Sequence, residues 1–170
     1  MKKNTYWIVY LIMWILQLLL SNYVRITPYV MITLLPVMVL TIPLRVPSIW
    51  AMVIAFATGL SVDFLADGVV GLNALSLVPV AFARNGIISL VFGGEPFERN
   101  EDVSVTKNGF GQMSMAVLLA LALFLAVYII ADGAGVRPLW FNAARFAASL
   151  AAGYVVSVLA LDSLAPDTRR

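Results

Sequence analysis

The chain has 170 residues, of which 62% are hydrophobic and 12% charged, with a formal net charge of +2 and neither His nor Cys. Soluble domains are about 45–50% apolar and about 25% charged, so this composition indicates an integral membrane protein. The missing His and Cys exclude imidazole bases, thiolate nucleophiles and metal sites built from either side chain. The small net charge excludes the strongly basic surface of a nucleic-acid binder.

Six apolar segments have the length of a membrane span, for which a helix needs about 20 residues. In chain order they cover about 6–24, 26–44, 48–66, 69–92, 113–131 and 141–161. The second contains Pro28, Pro36 and Pro43, each of which removes a backbone donor, so we expect it to be kinked or broken. Residues 93–112 are polar and form a predicted cytoplasmic loop. The sequence therefore predicts an all-α integral membrane protein, a bundle of six transmembrane helices in a single domain over residues 1–170.

The distribution of Lys and Arg predicts the orientation, because these residues are enriched in cytoplasmic loops. With the amino terminus inside, Arg25 and Arg137 fall outside the cytoplasm. Seven basic residues then fall on the cytoplasmic side: Lys2, Lys3, Arg45, Arg99, Lys107, Arg169 and Arg170. Both termini are therefore predicted to face the cytoplasm.

A stripe of small and acidic residues runs along the third predicted span and ends just beyond it. Its members recur every four residues and so share one face of a helix: Ala51, Ala55, Gly59, Asp63 and Asp67. Small residues let a neighbouring helix approach closely, and acids within a membrane are costly and often functional. Two interpretations stay open, namely helix packing that ends in a solvated turn, or acids that bind a partner. An aspartyl dyad is disfavoured, because both acids lie on one helix instead of converging from two sides of a substrate.

Two arginines lie within predicted spans. Arg145 is one turn into the sixth span, at the depth of Asp63 and Asp67, and could pair with either acid. Arg84 is in the cytoplasmic half of the fourth span. For both arginines the alternative is a side chain that snorkels to lipid phosphates. Interhelical hydrogen bonds are expected from the amide side chains Gln17, Asn73, Asn85 and Asn142.

Small residues also cover much of the sixth span. They form three stripes at helical spacing: Ala143, Ala147 and Ala151; Ala144, Ala148 and Ala152; and Ser149, Gly153 and Ser157. Such a helix can pack closely on several sides. It is either central in the bundle or a docking face for another membrane protein, and the sequence does not decide between the two.

One motif joins the third and fourth spans. The run Gly59-Leu-Ser-Val-Asp63, followed after seven residues by Gly71-Leu-Asn73-Ala74-Leu75, resembles the rod shape-determining protein family MreD. The family pattern is a Gly, an Asp four residues later, and then a Gly-Leu-x-Ala-Leu run that opens the next span. Chain length, a short basic amino terminus and five or six spans with short loops agree with it. The loop 93–112, which is acidic, and the second span with its three prolines depart from the family.

The resemblance implies a fold similar to the substrate-binding membrane subunit of energy-coupling-factor transporters. It also implies a non-enzymatic scaffold of the cell-wall elongation complex in the bacterial inner membrane, without a cofactor. The implied partners are MreC, further MreB, the glycosyltransferase RodA and its penicillin-binding transpeptidase, together with membrane lipids. The matched positions are Gly59, Asp63, Gly71, Asn73 and Ala74. Together with Asp67, Arg84 and Arg145 they make up the predicted partner-binding or structural polar site.

Two other functions stay open. A six-span bundle can enclose an extracytoplasmic pocket, as a vitamin-binding subunit of a transporter does, and the lining would then be Asp63, Asp67, Arg145 and Trp140. A membrane enzyme acting on a lipid-linked substrate would instead depend on the carboxylate of Asp63.

Overall fold

A computed structural model describes residues 3–23, 30–93, 109–133 and 137–164. Within these ranges the chain is helical and contains no β-strand. The helices are α1 (Lys3–Tyr23), the short α2 (Leu35–Leu40), α3 (Ser48–Val62), α4 (Leu72–Phe92), α5 (Phe110–Gly133) and α6 (Leu139–Leu164). A π-helical turn, Asp63–Asp67, continues α3. The predicted all-α class is therefore confirmed.

Five of the helices in the described ranges are long and apolar enough to cross a membrane: α1, α3 with its π-helical turn, α4, α5 and α6. Their number and length are those expected of a multi-pass membrane protein. The predicted fifth and sixth spans are each a few residues longer than expected. Because α5 begins at Phe110, the last residues of the predicted loop already belong to that helix, and 94–108 lie outside the described residues.

The long helices pack in a row that curves around α2. Along the row α1 packs on α3, α3 on α4, α4 on α5, and α5 on α6, while α2 contacts α1, α3, α4 and α5. All six residues of α2 are buried. Helices α4 and α5, which contact α2, add large side chains that are at most 1% exposed to the same apolar core, among them Leu77, Ile88, Leu121 and Phe124. The apolar core of the described chain therefore has α2, its shortest α-helix, at the centre.

The second pass through the bundle follows from the directions of α1 and α3. Tyr10 bonds Thr58 through their hydroxyl groups, and the Trp14 indole donates to Ser61, so residue numbers rise together and the two helices are parallel. The chain between them must therefore return along the bundle. Residues 30–47 make this return with α2 as their only helix.

The expected break in the second predicted span, 26–44, is thus confirmed, because Leu35–Leu40 is the only helix among its described residues. Pro36 stands in the first turn of α2, where its missing donor is harmless. Pro43 follows the end of α2 and prevents its continuation. Pro28 lies outside the described residues. Over the described residues the chain thus forms five long helices and one broken pass in place of the six predicted transmembrane helices.

Buried side chains satisfy the backbone of the broken pass. The amide of Leu34 donates to Gln17 Oε1 at 2.7 Å, and the amide of Met31 donates to Ser149 Oγ at 2.9 Å. At the other end of the pass, Arg84 Nη1 donates to the carbonyl oxygen of Ile42 at 3.0 Å. Non-helical backbone at membrane depth is tolerated only where protein or water supplies its hydrogen bonds. These three polar side chains therefore make the broken pass possible.

Candidate functional site

Asp63 is a fully buried carboxylate at the point where α3 becomes the π-helical turn. Its Oδ2 accepts hydrogen bonds from the backbone amides of Gly71 at 2.9 Å and Ala74 at 3.1 Å. Its Oδ1 accepts from the backbone amide and the side-chain Nδ2 of Asn73, both at 2.9 Å. The carboxylate thus closes over the first turn of α4 with four donors. A carboxylate at a helix amino terminus satisfies unpaired amides and also favours the helix dipole.

The N-cap residue of α4 explains why the acceptor that caps this helix comes from α3. Gly71 is the N-cap residue of α4 and has φ of +104°, a conformation that residues with a Cβ rarely adopt. Because glycine has no side chain, it cannot supply the acceptor that Ser, Thr or Asp supplies at most N-caps. Asp63 supplies that acceptor from the end of α3.

Gly59 brings the two helices close enough for this bond pattern. A Cβ placed on Gly59 would lie 2.6 Å from the Cα and N atoms of Ala74, which no real contact allows. The backbones of α3 and α4 therefore touch at this position. We call Gly59, Asp63, Gly71, Asn73 and Ala74 the α3–α4 corner.

The α3–α4 corner contains every matched position of the sequence motif, so the structure brings these residues together. Asp63 is inaccessible to solvent and all its recorded partners are donors of α4 or its N-cap. The hydrogen bonds that Asp63 accepts are those of a helix cap. The side chain of Asp67 lies outside the described residues.

Arg145 pairs with an acid that the sequence did not suggest. Its Nη1 forms a hydrogen-bonded ion pair with Asp132 Oδ2, near the end of α5. Arg137 Nη1 bonds the same oxygen at 2.6 Å. Of the two pairings that its depth allowed, the one with Asp63 is not formed, and the one with Asp67 falls on a side chain outside the described residues. Asp132 is not among the acids predicted to pair with Arg145, although the short connection between antiparallel α5 and α6 puts 132 and 145 at one level.

Arg84 does not reach toward lipid. Its side chain is only 1% exposed and donates to the backbone carbonyl of Ile42 inside the protein. The snorkelling interpretation of Arg84 is therefore wrong, and this cation belongs to the support of the broken pass. Nearby, Asn85 Nδ2 donates to Ser48 Oγ at 3.0 Å and joins the second half of α4 to the start of α3.

The small-residue stripes divide between the interior and the surface. Ala51, Ala55 and Gly59 are buried, so this stripe of α3 is already occupied within the bundle. On α6 the stripe of Ser149, Gly153 and Ser157 also faces inward, where Gly153 meets the side chain of Leu121. The stripe of Ala143, Ala147 and Ala151 is exposed. The structure thus assigns α6 one inward and one outward small-residue face.

The residues proposed to line a vitamin pocket do not converge in the structure. Asp63 is enclosed by the start of α4, Arg145 is bound to Asp132, and Trp140 is 69% exposed on the outside of α6. A groove of about 340 Å³ lies between α4 and α5 at the opposite end, and its lining is Leu90, Val91, Gly111, Gln112, Met115 and Leu119. Among the described residues no three acidic side chains are grouped so that they could hold a metal ion.

Comparison of the chain with models of protein families, with curated proteins and with solved structures found no match. The α3–α4 corner and the exposed faces of the helices are therefore the observations from which a function can be argued.

Proposed function

We propose that this protein is a non-enzymatic scaffold of the bacterial cell-wall elongation complex, of the MreD type, that binds MreC and helps to maintain rod shape. In this proposal it lies in the inner membrane with both termini in the cytoplasm, and MreB, RodA and its transpeptidase are further members of the complex. The observation that carries the proposal is the α3–α4 corner, because the five positions that match the MreD pattern form one connected structural unit.

The engagement of Asp63 supports a scaffold over an enzyme. A general acid or base must reach the proton that it transfers. Asp63 is buried, and both of its oxygens accept two hydrogen bonds each from the chain itself. A carboxylate used in this way fixes the angle between α3 and α4, which is a structural role.

The exposed face of α6 offers a surface for a partner helix. Ala143, Ala147 and Ala151 are exposed along one side of this helix, and α6 packs chiefly on α5 at the end of the row. Small residues let two membrane helices approach closely, so that van der Waals contact supplies most of the association energy. In the proposal this face receives the membrane helix of MreC.

Co-purification in detergent with tagged MreC tests the proposal. Wild-type protein is expected to recover MreC, and Ala147→Phe is expected to reduce the recovery at least about tenfold, since a bulky side chain blocks close helix approach. Ala57→Phe is the matched control, because Ala57 is an exposed alanine on α3. Equal recovery with both variants would remove α6 as the docking face.

Depletion of the protein in its rod-shaped host tests the cellular role. Cells are expected to become round as lateral wall synthesis loses its organisation. Failure to recover MreC with the wild-type protein, combined with retention of rod shape after depletion, would overturn the proposal.

A further inference from the structure

We propose that Arg137 and Arg145, at the end of the bundle where α5 ends and α6 begins, form a binding site for a phosphate group such as that of an anionic phospholipid. This site is separate from the α3–α4 corner and from the exposed alanine face of α6. The inference does not depend on the proposed scaffold function.

The two arginines and Asp132 together have one positive charge in excess. Both guanidinium groups bond the same Oδ2 atom of Asp132, so two positive charges share one negative charge. No other acid of the described residues forms an ion pair with either arginine. The cluster therefore carries a net charge of about +1, counted from ordinary ionisation states.

The arginines retain donors for a ligand. Each guanidinium has five N–H groups in a planar fork that matches phosphate oxygens. The Nε atom of Arg145 is buried and has no hydrogen-bond partner in the described part of the chain. The side chain of Arg137 is 41% exposed, whereas that of Arg145 is 11% exposed. One arginine is thus accessible, and the other is held at the base of the cluster with a donor unused.

Aromatic rings hold both guanidinium groups in place. Arg137 lies 5.8 Å from the centroid of the Phe141 ring, and Arg145 lies 5.9 Å from that of Tyr128. These are cation–π distances. The two arginines are therefore positioned before any ligand binds, which lowers the entropy lost on binding.

The surroundings match the level of lipid headgroups. Leu139 is 87% exposed and Trp140 is 69% exposed, directly beside the cluster in sequence. Exposed tryptophan is enriched where a membrane helix meets the headgroup region. Ile130, one turn before the end of α5, is also 73% exposed. A phospholipid bound here could place its phosphate at the arginines and its acyl chains along these apolar side chains.

Binding of short-chain phosphatidylglycerol to the purified full chain in neutral detergent, followed by native mass spectrometry, tests the site. The wild-type protein is expected to prefer phosphatidylglycerol about tenfold over phosphatidylcholine with the same acyl chains. Arg137→Gln is expected to weaken phosphatidylglycerol binding about tenfold, as loss of a charge-assisted hydrogen bond predicts. Arg45→Gln is the matched control, because Arg45 is an exposed arginine in the turn before α3; its binding is expected to equal wild type.

A second variant keeps the test informative if Arg137→Gln folds poorly. Asp132→Asn removes the competing carboxylate and is expected to strengthen phosphatidylglycerol binding several-fold, whereas a merely structural ion pair predicts no gain.

Competition with inorganic phosphate identifies the source of the ligand. Displacement by millimolar phosphate assigns a free-phosphate site, and resistance to it assigns a lipid site. Equal binding of the two lipids by the wild type, or unchanged binding in Arg137→Gln, would overturn the proposal.

Discussion

Replacing Asp63 with Asn is the most direct test of the α3–α4 corner. The substitution preserves the shape of the side chain but leaves one acceptor oxygen where the carboxylate has two. If that oxygen serves the two donors of Asn73, the new amide nitrogen faces the backbone amides of Gly71 and Ala74. Donors then face donors at two positions where the wild-type distances are 2.9 and 3.1 Å.

The expected loss of stability follows from these two bonds. A hydrogen bond to a charged acceptor contributes about 1.5–3 kcal/mol, so Asp63→Asn is expected to lower the free energy of unfolding by about 3–6 kcal/mol. The total stability of a protein is about 5–15 kcal/mol. Asn73→Ala is the graded comparison, because it leaves three of the four bonds to Asp63 intact.

Unfolding of the purified protein in detergent micelles, followed by circular dichroism, measures both variants. Asp63→Asn is expected to unfold at a clearly lower temperature or denaturant concentration than Asn73→Ala. The capping role of Asp63 is refuted if Asp63→Asn lies within about 1 kcal/mol of wild type, which is less than one charged hydrogen bond. It is also refuted if Asn73→Ala is the more damaging change.

Three further substitutions test the packing and the broken pass by the same unfolding measurement. Gly59→Ala is expected to destabilise the protein by about 1–3 kcal/mol, because its new methyl group meets the rigid backbone of Ala74. Gly153→Ala meets only the end of a flexible side chain and is expected to be distinctly milder; equal effects would contradict the close approach at Gly59. Gln17→Ala leaves the buried amide of Leu34 without its acceptor and is expected to lower stability by about 1–3 kcal/mol. An unchanged unfolding midpoint for Gln17→Ala would show that the broken pass has another source of hydrogen bonds.

The long helices could be predicted because length and apolar composition decide them locally. Residues 113–131 and 141–161 contain long apolar runs, and α5 and α6 enclose them. The prolines predict the break in the second pass, but the hydrogen bonds that support it could not be predicted, since they come from side chains distant in sequence. Gln17 precedes its partner by 17 residues, whereas Ser149 follows its partner by 118. No local pattern contains that information.

The candidate site could be predicted in its residues but only partly in its bonds. The spacing of Gly59 and Asp63 marked one face of α3, and the structure places both against α4. What the spacing could not show is that Asp63 would bond backbone amides instead of an arginine. Backbone donors carry no sequence signature. In the sequence, an acid that caps the next helix therefore cannot be distinguished from an acid that pairs with an arginine. The Asp132 partner of Arg145 was missed for a related reason, since pairing by depth leaves several acids equivalent.

The broken second pass has a consequence for the order in which the protein can be completed in the membrane. Ribosomal synthesis makes Met31 and Ile42 well before Arg84 and Ser149, whose side chains later bond their backbone atoms. A polar backbone group left in hydrocarbon is costly, so a nascent chain that ends before α4 cannot hold residues 30–47 in their final place. We expect this segment to settle only once α4 has entered, and to be completed when α6 arrives. Helix α6 thus closes a structure that α1 and the broken pass begin.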